Sequence, residues 1–152
     1  MKTMKIKILK TGVLAAILAI MGITTLRAQA PRRHPFYLHA LSDLRVARWM
    51  IQHRPGNWAQ SDLELRALNE INAAINDIKQ AAVDDGKNLN YHPPLDEVND
   101  HKGRLHEANN FLQQARQDVN QAEADPYARG LKFRSLNHIN AALQDVQGAL
   151  AL

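Results

Sequence analysis

The sequence predicts an all-α protein: an up-down-up-down four-helix bundle built from a duplicated helical hairpin and preceded by a signal peptide. Three observations predict it. Four stretches carry apolar residues at three- and four-residue spacing, turn residues interrupt them, and part of the chain repeats. RALNEINAAINDI at 66–78 returns as RSLNHINAALQDV at 134–146, with eight identities at an offset of 68. A second likeness, at an offset of 67, relates His34, Leu38 and His39 to His101, Leu105 and His106. Helix-sized units recurring at this distance indicate a hairpin that packs against its own copy, with units at about 34–99 and 101–152.

Residues 1–30 read as an export signal. Lys2, Lys5, Lys7 and Lys10 precede the uncharged run TGVLAAILAIMGITTL, and Arg27-Ala28-Gln29-Ala30 supplies small residues for cleavage. The run is shorter than the roughly 20 apolar residues of a spanning helix. Cleavage after Ala30 is expected, with retention as an N-terminal anchor the alternative, and no Cys follows to carry a lipid. The mature chain is expected to be periplasmic or secreted, with no stable membrane association after cleavage.

Four helices are predicted within residues 31–152, at about 36–53, 60–83, 100–123 and 127–150. The first is carried by Tyr37, Leu41, Leu44, Ala47 and Ile51, and Pro55-Gly56 closes it. Ser61 and Glu64 form a capping-box pair ahead of the second, whose stripe is Leu68, Ile71, Ile75, Ile78 and Ala82. Asp84-Asp85-Gly86 ends that helix. Leu105, Ala108, Leu112, Ala115, Val119 and Ala122 carry the third, and Asp125-Pro126 separates it from the fourth, with Leu136, Ile139, Leu143, Val146 and Leu150. The links between one and two and between three and four force antiparallel pairs. The longer connection, 86–99, is expected to cross one end of the bundle.

Charge narrows the function. The whole chain carries 19 basic and 15 acidic residues, +4 in total. Five of the basic residues and none of the acidic ones fall within the first thirty, which leaves 14 against 15 and a mature chain near −1. A nucleic-acid binder needs a surplus of cations for phosphates, and a surface-bound helix needs a basic apolar face; neither is present, so no nucleic-acid partner is expected. The absence of Cys excludes disulfides, thiolate metal sites and a Cys nucleophile. No Gly-rich phosphate loop, nucleophile elbow or Glu-x-x-His pair occurs, so a non-enzymatic protein is expected.

The seven histidines remain. In an up-down-up-down bundle, the start of helix one, the end of helix two, the middle connection and the start of helix three share one end. His39 and His106 are then the first candidate metal ligands, one from each repeat, with His92, His101, Asp84 and Asp85 next. Imidazole and carboxylate suit Zn, Cu or another divalent transition metal. The five-residue spacing turns a helix by about 140° beyond a full turn, so neither His34 with His39 nor His101 with His106 chelates from one helix. A site requires His39 and His106 to meet across the bundle, or His34 and His101 to lie before their helices begin. The competing reading makes the same residues a structural polar cluster in a periplasmic protein-interaction or stress-protection module, its protein partner unknown.

Three further features stand out. Asn69 and Asn72 recur as Asn137 and Asn140, poor helix formers in matched places that suggest inter-helix hydrogen bonds. Arg66 and Arg134 recur and are expected to pair with acidic residues on adjacent helices. Trp49 and Trp58 are expected to plug the end opposite the histidines.

The strings HALSDLR at 39–45, AAVDDGK at 81–87, HPP at 92–94 and GRLH at 103–106 resemble a group of small exported bacterial helical proteins of uncharacterised activity. The resemblance covers most of the mature chain and implies a secreted helical protein without supplying a ligand. In compartment, helical build and His content the chain is also distantly similar to small periplasmic metal-binding four-helix proteins, though it lacks their dense His repeats.

Overall fold

The computed structural model describes residues 35–53, 59–82, 100–121, 123 and 125–152. They form four helices: α1 (Pro35–Gln52), α2 (Asp62–Ala81), α3 (His101–Val119) and α4 (Pro126–Leu150). No strand occurs among them. The signal segment, Trp58, Asp84, Asp85 and His92 lie outside the described residues. No described helix is long and apolar enough to cross a membrane.

Local chemistry sets the helix starts. Pro35 and Pro126 begin α1 and α4, where the missing N–H costs nothing because the first turn leaves its amides unpaired. Ser61 caps α2 in the predicted capping box: its hydroxyl accepts from the Glu64 amide at 3.3 Å, and the Glu64 carboxylate accepts from the Ser61 amide at 2.8 Å. Asp100 accepts from the Gly103 amide at 2.6 Å to start α3, and Asp125 accepts from the Tyr127 amide at 3.0 Å to start α4. Such caps contribute about 1 kcal/mol each.

α3 stops at Val119, four residues before the predicted end. The Lys132 ammonium, from α4, donates to the Asn120 carbonyl at 3.1 Å and also to the Gln121 carbonyl. A cation on the orphan carbonyls favours termination there.

The helices do not alternate up and down. Gln60 donates to the Ile51 carbonyl at 3.0 Å, so α2 starts where α1 ends. Tyr37, at the start of α1, donates to Glu123, beyond the end of α3, at 2.8 Å. His101, the first residue of α3, bonds Glu64 in the first turn of α2 at 2.9 Å. α3 therefore runs parallel to α2 and antiparallel to α1, and the order of directions is up-down-down-up. α1 packs on α2 and α3, and α4 on α2 and α3, with α2 and α3 on a diagonal. The predicted alternation required the ends flanking the middle connection to be neighbours. Seventeen residues, 83–99, separate Ala82 from Asp100, and a chain of that length reaches up to roughly 55 Å, so its length imposes no such nearness.

Burial follows one register through both hairpins. Tyr37, Ala40, Leu44, Ala47 and Ile51 are buried on α1, and Leu105, Ala108, Leu112, Ala115 and Val119, each 68 positions on, are buried on α3. Ala67, Ile71, Ala74 and Ile78 on α2 answer to Ser135, Ile139, Ala142 and Val146 on α4 in the same way. The apolar ones among them form one core. Each large one contributes about 1.5–3 kcal/mol on burial. Ser135 is the one polar member of these matched sets, and its hydroxyl donates back to the Leu131 carbonyl at 2.9 Å. The His34/His101 likeness at 67 is out of this register: at 68, His39 corresponds to Glu107 and His106 to Leu38.

Candidate functional site

The polar seam between α2 and α4 is built by the repeated sequence. Arg66 bonds Asp145 at 2.9 Å, and Arg134 bonds Asp77 at 2.8 Å. Arg66 and Arg134 are 68 apart, as are Asp77 and Asp145, so the two bridges are reciprocal. Between them the Glu70 carboxylate meets His138 Nδ1 at 2.6 Å, and these two residues are themselves 68 apart. Residue i meeting j while j's counterpart meets i's is the signature of a two-fold interface; here it lies within one chain. The pairing expected of Arg66 and Arg134 is present. Their guanidinium groups are largely exposed, so solvent screens both bridges and they add little to stability.

Among the described residues the histidines do not collect at one end. His39 lies in the second turn of α1, near Asp118 toward the far end of α3. His106 lies in the second turn of α3, exposed, twelve residues from Asp118. That places it about 18 Å along the helix axis from His39's level. The direction of α3 thus separates the two first-choice ligands, carrying His101 and His106 toward the end occupied by His53. Asp84, Asp85 and His92 lie outside the described residues. No group of three or more His, Asp or Glu among the described residues is arranged to hold a metal ion. Trp49, half-buried against the core, stacks on His53 with ring centroids 4.3 Å apart.

Two carboxylate environments differ sharply. Burial pushes the Glu64 carboxyl upward, but the His101 imidazole and the amide and hydroxyl of Ser61 outweigh it and hold Glu64 below its ordinary value. At the other end, Asp43 is pushed up to about 6, by burial first and by the neighbouring Asp118 second, with His39 opposing. Asp118 is raised by its own burial against the same imidazole. Asp43 and Asp118, both near His39, are brought together from α1 and α3, which spacing within any single helix does not reveal.

The repeated asparagines diverge. Asn69 and Asn137 are exposed, whereas Asn72 accepts from Arg48 Nη1 at 3.1 Å, joining α1 to α2. Their counterparts at 68, Arg116 and Asn140, line an open pocket of about 470 Å³ between α3 and α4 with Gln117, Asn120 and Leu136. Arg116 and Asn140 belong to different helices, so spacing along the chain does not mark this pocket.

Chemically, the described surface offers hydrogen bonding and charge pairing. The Ser61 hydroxyl is engaged with the Glu64 carboxylate and the Ser135 hydroxyl with its own helix. Comparison of the chain with protein-family models, curated proteins and solved structures finds no match.

Proposed function

We infer that this is an exported, non-enzymatic protein built from a duplicated helical hairpin, which acts by binding at its surface and uses its histidines to fasten helices together. The bond between His101 and the buried Glu64 carries the reading. An imidazole whose Nε2 sits on a carboxylate that also caps a helix is committed to the fold on that side, which leaves at most Nδ1 for a metal ion. His138 on Glu70 repeats the arrangement at the centre of the α2/α4 seam. Export is supported by the lysine-rich start, the uncharged run and the small residues at 28–30, and the compartment is periplasmic or secreted.

The test is elemental analysis and intact mass of the protein recovered from the exported fraction, with melting curves in the presence of Zn²⁺ and Cu²⁺. The reading expects a chain beginning at Pro31, no retained metal and an unmoved melting temperature. Stoichiometric Zn or Cu that is lost on His39→Ala, His92→Ala or His106→Ala, with a stabilisation that grows with free metal, would overturn it.

A further inference from the structure

We propose that the pocket between α3 and α4 binds a small carboxylate with a flat apolar body, an aromatic acid being the simplest such molecule. The proposal rests on the reading of the protein as a non-enzymatic binder and names the class of ligand. Its basis is a comparison of the two repeats at one place. In the first, the Arg48 guanidinium is occupied by Asn72 at 3.1 Å, and the neighbouring Trp49 packs on the core. In the second, the register of 68 puts Arg116 at the place of Arg48, Asn140 at that of Asn72, Leu136 at that of Leu68, and Gln117 at that of Trp49.

Gln117, the counterpart of Trp49, is one of the residues that line the space. The pocket of about 470 Å³ opens where the second repeat carries the smaller Gln117, and its volume falls in the range of small-molecule sites, roughly 300–1,000 Å³. Neither the Arg116 guanidinium nor the Asn140 amide makes a hydrogen bond or ion pair among the described residues. The five lining residues present one cation, three amides and one leucine, and no carboxylate. A guanidinium with free donors is matched by a planar carboxylate, which it binds in a two-pronged fashion. The amides of Gln117, Asn120 and Asn140 supply further donors around that anion. Half-buried Leu136, at the edge of the core, supplies an apolar surface for the body of the ligand. An inorganic anion satisfies the guanidinium but leaves the apolar surface of Leu136 uncovered.

The test is titration of the purified protein with benzoate, followed by amide chemical shifts, with acetate, inorganic phosphate and benzyl alcohol as comparison probes. Benzoate is expected to shift resonances of residues 116–120 and 136–140 and to bind more tightly than any of the other three. Arg116→Gln is expected to weaken benzoate about tenfold or more. Gln117→Trp, which restores the residue of the first repeat, is expected to abolish binding while keeping the fold. Equal response to acetate or phosphate, shifts confined to other helices, or Arg116→Gln binding like the parent protein would each overturn the site. Recovery of the benzoate separates the two readings: its chemical conversion contradicts the non-enzymatic reading alone, whereas failure to bind overturns the site alone.

Discussion

Glu70 and His138 occupy the same position of the two sequence repeats and face each other across the α2/α4 seam at 2.6 Å. In a symmetric dimer of identical hairpins this position meets its own copy, and a glutamate would oppose a glutamate. The single chain escapes that repulsion because its two copies differ here, one acidic and one an imidazole. The two repeats also differ at Trp49, which packs on the core, and Gln117, which lines a pocket. The two sequence repeats carry a matched core, and Glu70 with His138 marks a place where they depart from the match.

Asn109 marks a departure that weakens the fold. Its Oδ1 is buried without a hydrogen-bond partner, and its counterpart in the first repeat is the fully buried Leu41. An unpaired buried carbonyl costs about 1–3 kcal/mol. Asn109→Leu is expected to stabilise the protein by about 1 kcal/mol in urea denaturation. A loss of stability with an unchanged m-value would show that the site is too tight for the larger side chain.

Asp43 gives stability a pH dependence. Its folded-state value, about 6, lies above the ordinary 3.8, so the folded protein favours the protonated carboxyl. This contribution to stability is present below about pH 4 and is lost as pH rises through about 6. Asp43→Asn is expected to melt higher than the parent at pH 7 and to converge with it near pH 4. Melting curves across that range check the sign, and an Asn variant less stable at pH 7 would contradict it.

Glu64 has the opposite sign. Its folded-state value is held down, so its contribution is present above the ordinary glutamate range and is lost as pH falls through the lowered value. Glu64→Gln removes the charged partner of His101 and weakens the cap of α2. A destabilisation of about 1–3 kcal/mol is expected at pH 7, shrinking in acid. Amide hydrogen exchange is expected to quicken first at Glu64 and Leu65, in the first turn of α2.

Helix content was legible in the sequence because apolar spacing and caps are local: Ser61-Glu64, Asp125-Pro126 and the Leu/Ile stripes place four helices within a few residues of their ends. The salt bridges of Arg66 and Arg134 were legible because repetition itself selected them. The direction of α3 was not. It depends on where a seventeen-residue connection goes, and nothing in the spacing of His101 or Leu105 encodes that path. An up-down-up-down order puts His39 and His106 at one end, whereas α3 running parallel to α2 sets them toward opposite ends. The pocket was hidden for a related reason: Arg116 and Asn140 acquire meaning only beside Arg48 and Asn72, and that comparison needs the register fixed by burial.

The most direct test of this account is exchange of the central pair, with stabilities measured for Glu70→His, His138→Glu and the double variant. His138 Nε2 also lies 4.0 Å from Asp77, and Asp145 is the counterpart of Asp77 in the other repeat, so the exchange re-creates the same neighbours about the two-fold. Each single variant is expected to lose about 0.5–1 kcal/mol through a like pair, and the double variant to recover to within a few tenths of the parent. A double variant whose loss equals the sum of the singles would show that positions 70 and 138 do not face each other, and would contradict the two-fold packing on which the account stands.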